Sequence, residues 1–188
     1  MAIDLESLRA APVLRRDGSE ASLGSFVDGP TLLVFLRHFG CIGCAAHVEE
    51  LVPRLDELTA AGVHVVFVGN GAANFIDGFV DRFGLGDRPV VVVTDPTLRA
   101  HHLAGLQRSW WGTLGPAAIV DVIRLKFSGL SGSALEGDAA QLGGLVLLDG
   151  RGGVVLAHRA RTLGDHLPTS DVIDAALSLM AQKSPVLV

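Results

Sequence analysis

From Thr31 to Arg37 the chain reads TLLVFLR, a mostly apolar run bounded by Gly29-Pro30 and Gly40. A short run of this kind between turn signals predicts a strand buried on both faces, the parallel kind. GVHVVFVGN (62–70) and PVVVVTD (89–95) predict a second and a third such strand. Between them the period turns helical. Val48, Leu51, Val52 and Leu55 make one apolar stripe, with Glu49, Glu50 and Arg54 elsewhere around the wheel. Pro53 removes a hydrogen bond there and is predicted to kink the axis about one turn upstream. AANFIDGFVDRF (72–83) predicts a helix with Phe75, Phe79 and Val80 inward. Asp95-Pro96 offers a cap and a first-turn proline for a short helix through Ala104, with Gly105 as its left-handed stop. Ahead of all this, PVLRRDGSEASL (12–23) predicts a hairpin turning at Asp17-Gly18.

The second half begins less legibly. LGPAAIVDVIRLKF (114–127) predicts a mostly buried helix, and SGLSGSALEGD (128–138) an exposed loop. GGLVLLD and GVVLAHR, joined by Gly150-Arg151-Gly152, then predict an antiparallel hairpin. A last helix from about Ser170 would turn Val172, Ile173, Ala176, Leu177 and Met180 to the sheet. Three alternating strands and helices followed by a hairpin and a helix make an α/β fold. The order predicts a thioredoxin-like arrangement, with a mixed central sheet and helices on both faces. One domain over 1–188 is expected, with 107–141 as an insertion.

Composition narrows the function. The chain has 188 residues and is 49% apolar, enough for a sizeable core. No apolar run approaches the roughly 18 residues a membrane span needs. No basic segment followed by an apolar stretch opens the chain, so a cytoplasmic protein is expected. A net charge of −5 argues against a nucleic-acid partner. Only two cysteines are present, Cys41 and Cys44. In a reducing compartment a close pair points to redox work or a metal rather than to a structural staple.

The pair falls in VFLRHFGCIGCAAHVEELV (34–52), where the first strand hands over to a helix. A helix starting near Cys41 aims its unpaired amides and the positive end of its dipole at that residue. Both favour the reactive thiolate, so Cys41 is expected to be ionised near neutrality and open to solvent. Cys44, one turn on, is within reach of a disulfide. Attack by Cys41 on an oxidised substrate, then closure onto Cys44, is the simplest cycle; two inert buried thiols are the bland alternative. His38, Cys41, Cys44 and His47 recur every third residue and are all zinc-ligand types. Cys41 and His47, however, lie roughly 120° apart around one helix, which argues against a shared ion. Arg37 and His38 would stabilise a thiolate or orient a peroxide oxygen. The plainer reading, slightly favoured, makes Arg37 a solvated strand end and His38 a loop histidine. His47 reads as surface, while His101, His102, His158 and His166 form no metal spacing. GNGAAN lacks the third glycine of a dinucleotide fingerprint and reads as an ordinary turn. The tryptophans of RSWWG are expected mainly in the core. No residue demands an organic cofactor or a metal.

With these residues placed, LVFLRHFGCIGCAAHVEEL, VVVTDPTLRAHHLAGL, TLGP and GDAAQLGGLVLLDGRGGVVLAHRAR resemble the peroxiredoxin-like-2 branch of the alkyl hydroperoxide reductase/thiol-specific antioxidant superfamily. The resemblance implies a thioredoxin fold with a peroxiredoxin-type N-terminal hairpin and central insertion. It implies Cys41 as nucleophile and Cys44 as resolving partner. The implied activity is thiol-dependent reduction of a peroxide or endoperoxide, with thioredoxin or another thiol reductant as donor and a homodimer allowed. General thiol–disulfide exchange, or redox-responsive binding without turnover, are the alternatives. The pattern also departs from standard peroxiredoxins. Their proline and hydroxyl residue, seven and three positions before the reactive cysteine, are Val34 and His38 here. Where they carry an arginine and thioredoxins a cis-proline, this chain has Gly143-Gly144. These glycines would let a substrate approach Cys41 closely, or form a plain turn.

Overall fold

The computed structural model of the chain describes residues 3–116, 119–120, 122–123 and 137–181. Its strands are β1 (Pro12–Leu14), β2 (Glu20–Ser22), β3 (Thr31–Phe35), β4 (His64–Gly69), β5 (Val90–Thr94), β6 (Gly144–Leu148) and β7 (Val154–Arg159). They form one mixed sheet in the order β2-β1-β5-β4-β3-β6-β7. β3, β4 and β5 run parallel, while β6 lies antiparallel to β3 and to β7. The expected N-terminal hairpin stands at one edge, with β1 joining β5 through Leu14 and Thr94. The helices are α1 (Leu5–Ala10), α2 (Ile42–Leu51), α3 (Leu55–Ala60), α4 (Phe75–Phe83), α5 (Arg99–Leu103), α6 (Trp110–Leu114) and α7 (Thr169–Ala181).

All five residues of β3 are buried, which explains its unbroken apolar run. Alternate side chains serve opposite layers, as the pleat dictates. Leu32 and Val34, with Phe67 and Leu145, pack under α2, α3, α4 and α7. Leu33 and Phe35, with Val66 and Val146, pack against α1 and α5. A strand clamped on both faces and both edges is a rigid base for whatever its C-terminal end carries.

Pro53 acts as its chemistry requires. α2 stops at Leu51, a 3₁₀ turn runs over Val52–Arg54, and α3 resumes at Leu55. The break falls at the proline itself rather than a turn upstream. In the helix 75–83, Ile76 and Phe83 join Phe79 and Val80 inside, and Phe75 is only half-buried. The helix expected to start at Asp95-Pro96 starts instead at Arg99, after Leu98 in the left-handed conformation (φ 59°). Asp95 still caps it from a distance. Its carboxylate accepts from the backbone N–H groups of Arg99 (3.1 Å) and His101 (3.0 Å).

The tryptophans correct the sequence reading. Trp110 and Trp111 are 60% and 79% exposed. Ser109 caps α6 by accepting from Gly112 N–H, and it is Gly112 and Thr113 that pack inward, Gly112 under the carbonyl of Arg161. Within 114–127, Ile119, Val120 and Ile123 are helical but half or more exposed, so burial fails there. Val122 alone is half-buried against the core, while residues 117, 118, 121 and 124–127 and most of the 128–138 loop lie outside the described residues.

One polar pair is wholly enclosed. His101 Nδ1 lies 3.0 Å from Asp95 Oδ2, and its Nε2 lies 3.0 Å from the carbonyl of Leu36, just past β3. Burial pushes the Asp95 carboxyl up, but its hydrogen bond and charge pairing with His101 outweigh this and hold it below its ordinary value. His101→Ala strands both partners. The expected cost is about 3–5 kcal/mol in urea unfolding, typical of breaking a buried pair from one side.

Candidate active site

β3 delivers the chain to a tight turn at 36–40. Leu36 N–H still reaches the carbonyl of Val68 (2.9 Å), and Cys41 N–H closes the turn on the carbonyl of His38 (3.1 Å). Cys41 is extended and caps α2, as the spacing predicted, and its Sγ accepts from Cys44 N–H at 3.5 Å. Both cysteines are free thiols. Cys44 turns its sulfur back towards β3, where it accepts from Arg37 N–H at 3.1 Å.

The two sulfurs are electrostatically unequal. The Cys44 thiol donates to the Cys41 sulfur. That hydrogen bond outweighs burial and, with the Arg37 charge and the amides of Cys44 and Gly43, brings Cys41 down to about 6. The same bond holds the proton on Cys44. Burial and the charge on Cys41 add to it, and Cys44 is pushed well above its ordinary value. Near neutrality the pair is one thiolate and one thiol.

Solvent access is where expectation fails. Cys41 and Cys44 are only 2% and 4% exposed. The cover is the chain around Leu163. A Cβ at Gly43 would sit 2.3 Å from the carbonyl of Leu163, so the bare residue between the cysteines is what lets this segment lie on the motif. Leu163 N–H is held in turn by the carbonyl of Gly112 (3.1 Å). The covered sulfur is not sealed in hydrocarbon, however. Arg37 Nη1 lies 3.3 Å from Cys41 Sγ.

Arg37 is therefore not a solvated strand end. It is 4% exposed. Its Nε donates to the carbonyl of Gln141 (3.1 Å) and Nη2 to that of Ala139 (2.8 Å), leaving Nη1 for the sulfur. Asn70 fixes the same junction. Its side-chain N–H donates to the carbonyls of Arg37 (3.0 Å) and Asp138 (3.2 Å). His38 does sit in a loop, but buried. Burial first, then Arg37, holds it down to about 4, so it is neutral and adds no positive charge.

Gly143 and Gly144 serve the sheet. Added Cβ atoms would meet the carbonyls of Phe35 at 2.6 Å and His158 at 2.3 Å, so close strand packing excludes side chains. Both also line a small cavity with Val34, Cys44, His47 and His166. His47, read as surface, is 8% exposed and stacks on His166 with ring centroids 4.9 Å apart. Among the described residues no three His, Cys, Asp or Glu side chains are grouped to hold a metal. Sequence reasoning missed Asn70, His166 and the carbonyls at 139 and 141. Asn70 stood in a stretch read only as a turn, and backbone carbonyls carry no residue-type signal.

Fold and dithiol together define a thiol-dependent oxidoreductase of thioredoxin-like architecture. The model of the AhpC/TSA antioxidant enzyme family matches residues 50–162, beginning past both cysteines. The chain is 31% identical to the prostamide/prostaglandin F synthase of Salmo salar, over 84% of its own length and 81% of that protein. It is 28% identical to human peroxiredoxin-like 2C, over 86% and 75%. Xanthomonas campestris peroxiredoxin Q shares the fold with a TM-score of 0.62 at 15% identity, over 97% and 96% of the two chains. The chain belongs to the AhpC/TSA antioxidant enzyme family, in its peroxiredoxin-like branch.

Arg37→Met removes the charge and one donor from Cys41. The thiolate absorbance should then titrate about one pH unit or more above its present midpoint. Gly43→Ala should lift the Leu163 segment. Faster alkylation of the thiols and a stability loss of about 1–3 kcal/mol in urea are expected.

Proposed function

We propose that the chain reduces a peroxide or endoperoxide with Cys41 as nucleophile and Cys44 as resolving thiol. The observation that carries this reading is the division of the pair into a stabilised thiolate and a protonated neighbour one helical turn away. The thiolate attacks one oxygen of the O–O bond, which breaks. With a hydroperoxide, Cys41 becomes a sulfenic acid and the other oxygen leaves as an alcohol. With an endoperoxide, whose oxygens are both bonded to carbon, Cys41 becomes a sulfenate ester and the other oxygen is protonated to a hydroxyl. Cys44 then attacks the Cys41 sulfur, giving the disulfide and releasing water from the acid or the second hydroxyl from the ester. Two electrons from thioredoxin or another thiol reductant restore the dithiol, and a cytoplasmic setting belongs to this reading. The relatives named for prostamide/prostaglandin F synthesis and for peroxiredoxin-like proteins support the substrate class.

The hydroxyl of standard peroxiredoxins is missing, Val34 and His38 standing in its surroundings. The Arg37 guanidinium donates to the reacting sulfur, and would hydrogen-bond the attacked peroxide. Burial adds a constraint. The oxidant is either small or enters as the Leu163 segment moves.

The test is a titration of free thiols after separate addition of hydrogen peroxide, an organic hydroperoxide and oxidised thioredoxin. Wild type should lose two thiols per equivalent of organic hydroperoxide. Cys41→Ser should lose none, and Cys44→Ser should complete the first step only. Loss of thiols with oxidised thioredoxin but with neither peroxide would overturn the reading in favour of disulfide exchange. Activity surviving Cys41→Ser but not Cys44→Ser would reverse the roles. Because the thiolate is the reactant and its midpoint lies at about 6, the first step should speed up through that pH and level off above it.

A further inference from the structure

Closure of the pair needs Cys44 to lose its proton, and no group named so far accepts it. Arg37 donates from every nitrogen described, and His38 is not among the residues lining the space beside Cys44. That space is the small cavity bounded by Val34, Cys44, Gly143, Leu163, His47 and His166, with about 10 Å³ open to a water centre. It is room for roughly one water molecule. His47 is on the same helix as Cys44, one turn further on. Nε2 of His47 and Nε2 of His166 are both buried and both without a hydrogen-bond partner. Two buried, unpartnered ring nitrogens on residues that line one cavity are costly unless they serve a purpose.

We propose that the stacked His47–His166 pair accepts the Cys44 proton, directly or through one water in this cavity, as the disulfide closes. The inference rests on the dithiol reading above. In the step, Cys44 Sγ attacks the Cys41 sulfur and the bond from Cys41 to its leaving group breaks. The proton passes from Cys44 to His47 Nε2 and then to a basic departing group, hydroxide from a sulfenic acid, alkoxide from a sulfenate ester or an alkyl thiolate from a mixed disulfide. Where the departing group is a stable aryl thiolate, the proton goes on to solvent. Water, a hydroxyl compound, a thiol or that thiolate leaves, and the histidines end neutral.

The surroundings fit a transient acceptor. His47 shares the cavity with Cys44 of its own helix, stacks on His166 and feels the charge of His158 on β7. Arg37 lines the cavity from the end of β3, and Asp165 and Glu50 act on His166. Burial, then the charges of His166 and His158, holds His47 down to about 4, so its nitrogen is free to accept near neutrality. In the resting pair the transfer is uphill, because the Cys41 thiolate keeps the proton on Cys44. Oxidation of Cys41 removes that negative charge, and the gap narrows when closure is due. His158 is already engaged with the carbonyl of Asp165 (3.1 Å) and is a bystander.

The test follows closure without any peroxide. Ellman's reagent reacts with Cys41 to release one thionitrobenzoate, and attack by Cys44 on the mixed disulfide releases a second. Wild type, His47→Phe and His166→Phe are compared by stopped flow from mildly acid to alkaline pH. Phenylalanine keeps a stacked ring and removes the nitrogen. In His47→Phe the second phase should slow at least about tenfold near neutral pH. The deficit should shrink as hydroxide takes over at high pH, with the first phase within about twofold of wild type. His166→Phe should slow the second phase less, with the same pH trend. A wild-type second phase in both variants overturns the proposal. So does a deficit equal at every pH, which marks a structural role. If His47→Phe does not fold by circular dichroism, His166→Phe is judged by the same two criteria. A wild type that closes normally here but loses no thiols to hydroperoxides overturns the peroxide reading alone. A wild type that releases a single equivalent overturns both.

Discussion

Everything at the dithiol depends on how the Arg37 guanidinium is held. Two of its nitrogens are committed to the carbonyls of Ala139 and Gln141, and the third faces the Cys41 sulfur. A buried cation is expensive unless its donors are satisfied, and here each group of donors has a partner. The carbonyls fix the plane, and the plane fixes where positive charge meets sulfur. The backbone N–H of the same residue meets Cys44. One residue at the end of β3 thus supports both thiols, and Asn70 and the His101 contact to Leu36 lock that end from two sides.

This arrangement reconciles burial with ionisation. An open thiol at a helix entrance gains its low pKa from amides and dipole while water does the rest. Here water is displaced, and burial alone would return the proton to sulfur. The Cys44 thiol, the guanidinium and the amides replace the lost hydration, and the net direction stays downward. Such preorganised donors act more strongly where solvent is excluded. The cover is thus part of the electrostatics as well as a barrier to entry.

The fold was legible because its signals are local and redundant. Unbroken apolar runs bounded by glycine or proline gave away β3, β4 and β5, and the cysteine spacing gave away the start of α2. Where reading failed, the missing information was long-range. Arg37 looks like a solvated end until the chain a hundred residues later supplies its carbonyl partners. His47 looks like surface until the segment around Leu163 and His166 folds over it. The tryptophans misled for the opposite reason. Their size argued for burial, yet α6 is only five residues long and spends its inward face on Gly112 and Thr113. Start-and-stop signals located the helix after β5 to within a few residues, but Asp95 caps it across a gap that no cap pattern anticipates.

The residue inside the Cys-x-x-Cys ring has one more implication. In dithiol proteins the two intervening positions are the natural dial for redox potential, since their side chains alter the ring's polarity and geometry. Here one half of that dial is jammed, because the backbone of Leu163 occupies the volume that any substituent on Gly43 would need. Between the two cysteines, a change of side chain that keeps this roof in place is therefore confined to Ile42.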